Sequence, residues 1–107
     1  SLRIPVSDEK NLRFEHRVSG ADANPYLVTA AILAGLHYGI TNQCHPGEMV
    51  KEGEVISLNQ EIPNRWNKAI DAFESNKVLP SYLGKEFCKT FVANRRFEEL
   101  EFNNKIL

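Results

Sequence analysis

Apolar and polar positions alternate strictly over residues 12–18. Leu12, Phe14, His16 and Val18 fall on one side, and Arg13, Glu15 and Arg17 on the other. A period of two puts successive side chains on opposite faces of an extended chain. The pattern predicts a β-strand with one face against a core and one face densely charged. Residues 2–6 read as a second short strand and a candidate hairpin partner. The connection, Ser7-Asp8-Glu9-Lys10-Asn11, is polar and rich in turn formers.

After an irregular loop over residues 19–23 the period changes. Asn24 suits an N-cap and Pro25 the first helical position, where its missing N–H costs nothing. A helix is expected to run to about Tyr38 and to end at Gly39. Its side chains, among them Tyr26, Leu27, Ile32, Leu33 and Leu36, are apolar nearly all round. Such a helix needs cover on more than one side, which this chain alone is not expected to supply.

Residues 41–61 are polar, with Pro46-Gly47 and Glu52-Gly53, and read as a surface excursion. Ile62-Pro63 is expected to open a second helix with Trp66, Ala69, Ile70 and Phe73 on one stripe, ending at Asn76-Lys77. Pro80-Ser81 begins a short turn, and Gly84 precedes a third helix over 85–103 with Phe87, Cys88, Phe91 and Val92 inward and a charged, frayed end. No internal repeat or low-complexity run interrupts this order. The expected fold is α+β, a short antiparallel strand pair with about three helices.

Composition narrows the function classes. The 107 residues are 42% hydrophobic and 25% charged, an ordinary globular balance within one domain. A formal net charge of −1 gives no global field for a nucleic acid or an anionic membrane, so any anion site must be local. Cys44 and Cys88 have no ligand spacing and are expected reduced, as in a cytoplasmic chain. No stretch approaches the ~20 apolar residues of a membrane helix, and Ser-Leu-Arg-Ile-Pro at the start lacks the apolar core of a signal peptide. The chain opens without Met and stops inside a charged helical run, so it is expected to be a piece truncated at both ends.

The unusual chemistry lies on the charged strand face. Arg13, Glu15 and Arg17 project at steps of about 7 Å. Guanidinium forks bind phosphate or carboxylate oxygens in pairs, and a carboxylate between them is a hard donor for Mg2+ or Mn2+. Phosphoryl transfer needs that kind of charge neutralisation. The same pattern also describes a solvated strand face on which Glu15 screens its neighbours. Periodicity leaves both readings open.

Arg3-Ile4-Pro5, Arg13-Phe14-Glu15-His16-Arg17 and Gly20-Ala21-Asp22-Ala23-Asn24-Pro25-Tyr26-Leu27, followed by an alanine-rich helix to Gly39-Ile40, resemble the last third of the glutamine synthetase catalytic domain. The specific part covers residues 3–40. Ile62-Pro63, Trp66, Leu83-Gly84 and Phe97-Glu98-Glu99 resemble the family's C-terminal helices more loosely. Residues 1–107 would then be the C-terminal portion of that domain.

The resemblance implies roles residue by residue. Glu15 matches a metal-ligating glutamate holding Mg2+ or Mn2+. Arg17 matches an arginine that contacts the glutamate substrate and the migrating phosphate, and is the candidate catalytic group. Arg3 and Arg13 match ATP-binding arginines, and Lys10 falls where some members carry a nucleotide-contacting lysine. Asn24, Pro25 and Tyr26 read as architecture. The implied parent is an ATP-dependent glutamate–amine ligase that works through γ-glutamyl phosphate, cytoplasmic and homo-oligomeric, with active sites between subunits. The amine is ammonia or a polyamine. The string His16-Arg17-Val18-Ser19-Gly20-Ala21-Asp22 lacks the proline usual in glutamine synthetases and is closer to the polyamine-ligating branch. The isolated chain is expected to be inactive. A non-catalytic module used for assembly or regulation, and an unrelated phosphate-binding domain, are the rival readings.

Other polar residues read as structural. His16 lies on the apolar strand face and is expected to be packed. His37 and His45 are too scattered for a metal site. Trp66 is expected to anchor the core, Cys88 to fill it as a small apolar residue, and Tyr38 has no identifiable partner.

Overall fold

The computed structural model describes residues 2–51, 53–54 and 62–106. The excursion expected over 41–61 therefore lies partly outside the described residues, including Glu52 of its second turn signal. The chain divides into two compact units, Ser1–Gly35 and Leu36–Leu107. Among the described residues the elements are β1 (Leu2–Arg3), β2 (Glu15–His16), α1 (Pro25–Thr41), α2 (Trp66–Ser75), α3 (Leu79–Leu83) and α4 (Lys85–Ile106).

In the first unit β1 and β2 form an antiparallel ladder that pairs Leu2 with His16 and Arg3 with Glu15. The hairpin was legible, but the strands are far shorter than the alternation implied. A ladder extends only as far as its partner, and Pro5 has no N–H to give. The connection tightens into a 3-10 turn over Glu9–Asn11. Asp8 Oδ1 holds it by accepting from the Asn11 amide at 3.0 Å and from Asn11 Nδ2 at 2.7 Å.

The apolar side of residues 12–18 is not buried. Leu12, Phe14 and Val18 are exposed, and so is His16, contrary to the packed position expected of it. The alternation marks a face without supplying what covers it. Helix α1 repeats the lesson. Asn24 Oδ1 caps it, accepting from the amides of Tyr26 at 3.0 Å and Leu27 at 3.3 Å. The helix continues past Gly39 to Thr41, because glycine only weakens a helix and does not stop one. Ala34 is its one buried residue among those described, whereas Tyr26, Leu33 and Ile40 stay exposed.

The second unit carries the better core. Helices α2 and α4 pack against each other, with Ile70 buried on α2 and Cys88 and Val92 buried on α4. Phe73 meets Phe91 with ring centroids 5.1 Å apart, and Trp66 meets Phe102 edge-on at 5.8 Å. The start of α2 thus lies by the end of α4, so the two run antiparallel. Trp66 is 41% exposed, an edge contact and not the expected anchor. Arg65, extended at φ −134° and ψ 147°, sets the start of α2 later than Ile62-Pro63.

The region of Pro80-Ser81, read as a turn, is the five-residue helix α3. Asn76 Oδ1 accepts from the amides of Val78 at 3.0 Å and Leu79 at 2.8 Å, and proline suits the first helical turn. Gly84 then turns the chain at φ 89°, a conformation that favours glycine, directly into α4. Helix α4 stays helical through Ile106, beyond residue 103, and its end is exposed as expected. The strand pair with helices matches the expected α+β class, and the four helices among the described residues agree with the expectation of about three.

Candidate active-site strand pair

The ladder register places Arg3 and Glu15 side by side on adjacent strands. Arg3 Nη1 donates to Glu15 Oε2 at 3.2 Å, while Arg13 Nη2 donates to Glu15 Oε1 at 3.4 Å. Arg13 is itself steadied by a bond from Nη1 to the Asn11 carbonyl at 3.3 Å. One carboxylate therefore carries a guanidinium on each oxygen. The arginine side chains are 57% and 55% exposed and the Glu15 side chain 31%. Exposed pairs of this kind contribute little to stability, about 0–1 kcal/mol. Their donors remain free to turn to an anionic ligand.

The spacing R-x-E-x-R suggested that Arg13 and Arg17 flank Glu15. The structure brings Arg13 to it but supplies the second fork from Arg3. Arg17 lies beyond β2, exposed, and makes no ion pair among the described residues. Lys10 sits in the 3-10 turn, also exposed. Of the five residues singled out from sequence, three converge and two stand apart. The Arg3–Glu15 contact depends on register, and a hairpin with a long connection does not announce its register.

Glu15 suits a hard cation as one ligand. Each of its oxygens engages one guanidinium and keeps a lone pair, and oxygen is the donor that Mg2+ and Mn2+ prefer. A full shell of ~6 donors needs more than this carboxylate. Among the described residues no group of three His, Cys, Asp or Glu side chains comes close enough to hold a metal.

The whole chain, residues 1–107, matches the family model described as "Glutamine synthetase, catalytic domain". The chain belongs to the glutamine synthetase family. Gamma-glutamylputrescine synthetase PuuA of Escherichia coli (strain K12) is 42% identical over 99% of this chain. Type-1 glutamine synthetase 2 of Dictyostelium discoideum is 31% identical over 99%, and Lengsin of Homo sapiens 36% identical over 91%. This chain spans only 22%, 21% and 19% of the lengths of those relatives. No solved structure matches it significantly.

The remaining polar groups fall outside that cluster. His37 Nδ1 and the Tyr82 hydroxyl are 2.6 Å apart, a contact across 45 positions of sequence for which no spacing rule exists. Cys44 is exposed and Cys88 buried, both as free thiols, and Cys88 fills the core as expected. No helix among the described residues is long and apolar enough to cross a membrane.

Proposed function

We propose that the protein to which this chain belongs is an ATP-dependent glutamate–amine ligase, and that the chain contributes one wall of its active site. The observation that carries the proposal is the carboxylate of Glu15 held between Arg3 and Arg13, inside a sequence frame shared with the glutamine synthetase family. A γ-carboxylate oxygen of glutamate attacks the γ-phosphorus of ATP, ADP leaves, and γ-glutamyl phosphate results. The amine nitrogen then attacks the acyl carbon, phosphate leaves, and the nitrogen loses its proton.

In this reading Arg3 and Arg13 bind the ATP phosphates, and Lys10 adds a cation on the nucleotide side. Arg17, with no carboxylate pairing it among the described residues, offsets charge on the migrating phosphoryl group and holds the substrate carboxylate. Glu15 holds Mg2+ or Mn2+ together with carboxylates from outside this chain. The bound ion would supply charge neutralisation at the phosphates.

A polyamine is the proposed acceptor. The identity of 42% to a gamma-glutamylputrescine synthetase, against 31% to a type-1 glutamine synthetase, supports that choice over ammonia. The protein is proposed to be cytoplasmic and homo-oligomeric, with active sites shared between subunits. The test is phosphate release by the intact protein with ATP, glutamate and a panel of amines. Turnover with putrescine or a longer polyamine well above that with ammonia is expected. Faster turnover with ammonia overturns the acceptor, and no turnover with any amine overturns the ligase reading.

A further inference from the structure

The second unit has a groove of about 420 Å3, bordered by the end of α2, by α3 and by the start of α4. Its floor is apolar, with Phe73 and Pro80 half-buried and Cys88 and Val92 buried. Its rim is cationic, with Lys77, Lys85 and Lys89 all exposed. None of the three amines lies within ion-pair distance of a carboxylate among the described residues. Among the described residues the one carboxylate on the groove, Glu74, is already engaged, accepting from Arg96 Nη2 at 2.8 Å. The groove thus concentrates positive charge on a chain whose formal net charge is −1.

We propose that this groove binds a small amphiphilic anion, a carboxylate or phosphate monoester on a short apolar body. Three like charges round one concavity repel each other when it is empty, and apolar walls focus their field inward. An anion relieves that repulsion. Its apolar body covers Phe73, Pro80 and Val92, gaining the burial that a bare inorganic ion cannot. Lys85 also opens α4, where amides without intrahelical partners add positive partial charge. A protein surface without carboxylates at this rim would strand three ammonium groups without partners. The volume lies within the ~300–1,000 Å3 of small-molecule sites.

The test is limited acetylation of the intact protein by an activated acetate ester, with each lysine quantified by peptide mass spectrometry. Hexanoate or phenyl phosphate is expected to slow modification of Lys77, Lys85 and Lys89 by about threefold, the protection of two-thirds occupancy. Lys68 and Lys105 serve as references and are expected to be unaffected. Hexanamide tests the need for charge, and inorganic phosphate tests the need for the apolar body. Absence of protection by both amphiphiles overturns the proposal. Equal protection by hexanamide, or by inorganic phosphate, overturns it as well. The double variant Lys85→Gln/Lys89→Gln, two surface changes, is expected to weaken hexanoate about tenfold in calorimetric titration. An unchanged affinity counts against the site.

Discussion

Arg3 and Glu15 stand directly opposite one another in the β1–β2 ladder, and the guanidinium donates to Oε2 at 3.2 Å. Arg13 takes the other oxygen from the same strand as Glu15, at 3.4 Å. The carboxylate is therefore positioned by one contact across the ladder and one along it. Exposure keeps both contacts weak, which suits a ligand site better than a structural tie.

Replacing Glu15 by Gln preserves the side-chain shape and removes the charge. Stability is expected to change by less than about 1 kcal/mol, since only exposed ion pairs are lost. In the intact protein the Mg2+ or Mn2+ concentration needed for half-maximal turnover is expected to rise about tenfold or more. Thermal melts and a metal titration of the rate measure the two effects. An unaltered metal requirement would remove Glu15 from the ligand set.

Arg17 makes no ion pair among the described residues, so Arg17→Ala should leave the melting temperature nearly unchanged. The proposed charge-offsetting role predicts a fall in kcat of about 10²–10³-fold in the intact protein. Arg17→Lys keeps the charge and loses the fork, so it should recover only part of that rate. A lysine variant with full activity would show that a point charge suffices.

The sequence carried the faces and the caps better than the lengths. Alternation over 12–18 located β2, and the Asn24-Pro25 pair located the start of α1, because capping and period are local properties. It did not reveal that only Glu15 and His16 enter the ladder, since ladder length belongs to the partner strand. Nor did it reveal that Leu12, Phe14, His16 and Val18 lie exposed, because cover is a property of what packs against a face. Arg13 beside Glu15 follows from spacing two apart, whereas Arg3 beside Glu15 needs the register. In α3 the turn signals Asn76 and Pro80 were visible, but five helical residues are too few to show a period.

A chain proposed to supply one wall of a site is expected not to turn over substrate by itself. Among the described residues no three candidate ligands gather to hold a metal. The 107-residue chain by itself is expected to release no phosphate from ATP in the presence of glutamate and an amine. Measurable release that disappears in Glu15→Ala would show that the chain is sufficient.

Ile70 is 5% exposed at the centre of the α2–α4 contact. Ile70→Ala leaves a cavity between α2 and α4 and is expected to cost about 2–4 kcal/mol. Denaturant melts of the intact protein or of the chain give the value, provided unfolding is cooperative. A cost below about 1 kcal/mol would mean that the helices close over the gap.

Arg96 joins α4 to α2 by donating to Asp71 Oδ1 at 2.6 Å and to Glu74 Oε2 at 2.8 Å. The hydrogen bond to Asp71, followed by that to Glu74, raises its pKa above the ordinary arginine value. A raised pKa gives a contribution that is complete below the unfolded value and lost only as pH climbs through the folded one. For arginine that window lies above ~12, so the contribution is constant between about pH 6 and 9. Arg96→Met keeps the apolar stem and deletes the charge. Its melting temperature is expected to fall below that of the parent by the same amount across that range. In about 1 M salt, where screening reaches ~3 Å, the gap is expected to narrow. A gap indifferent to salt would assign the loss to packing along α4 and not to the two carboxylates.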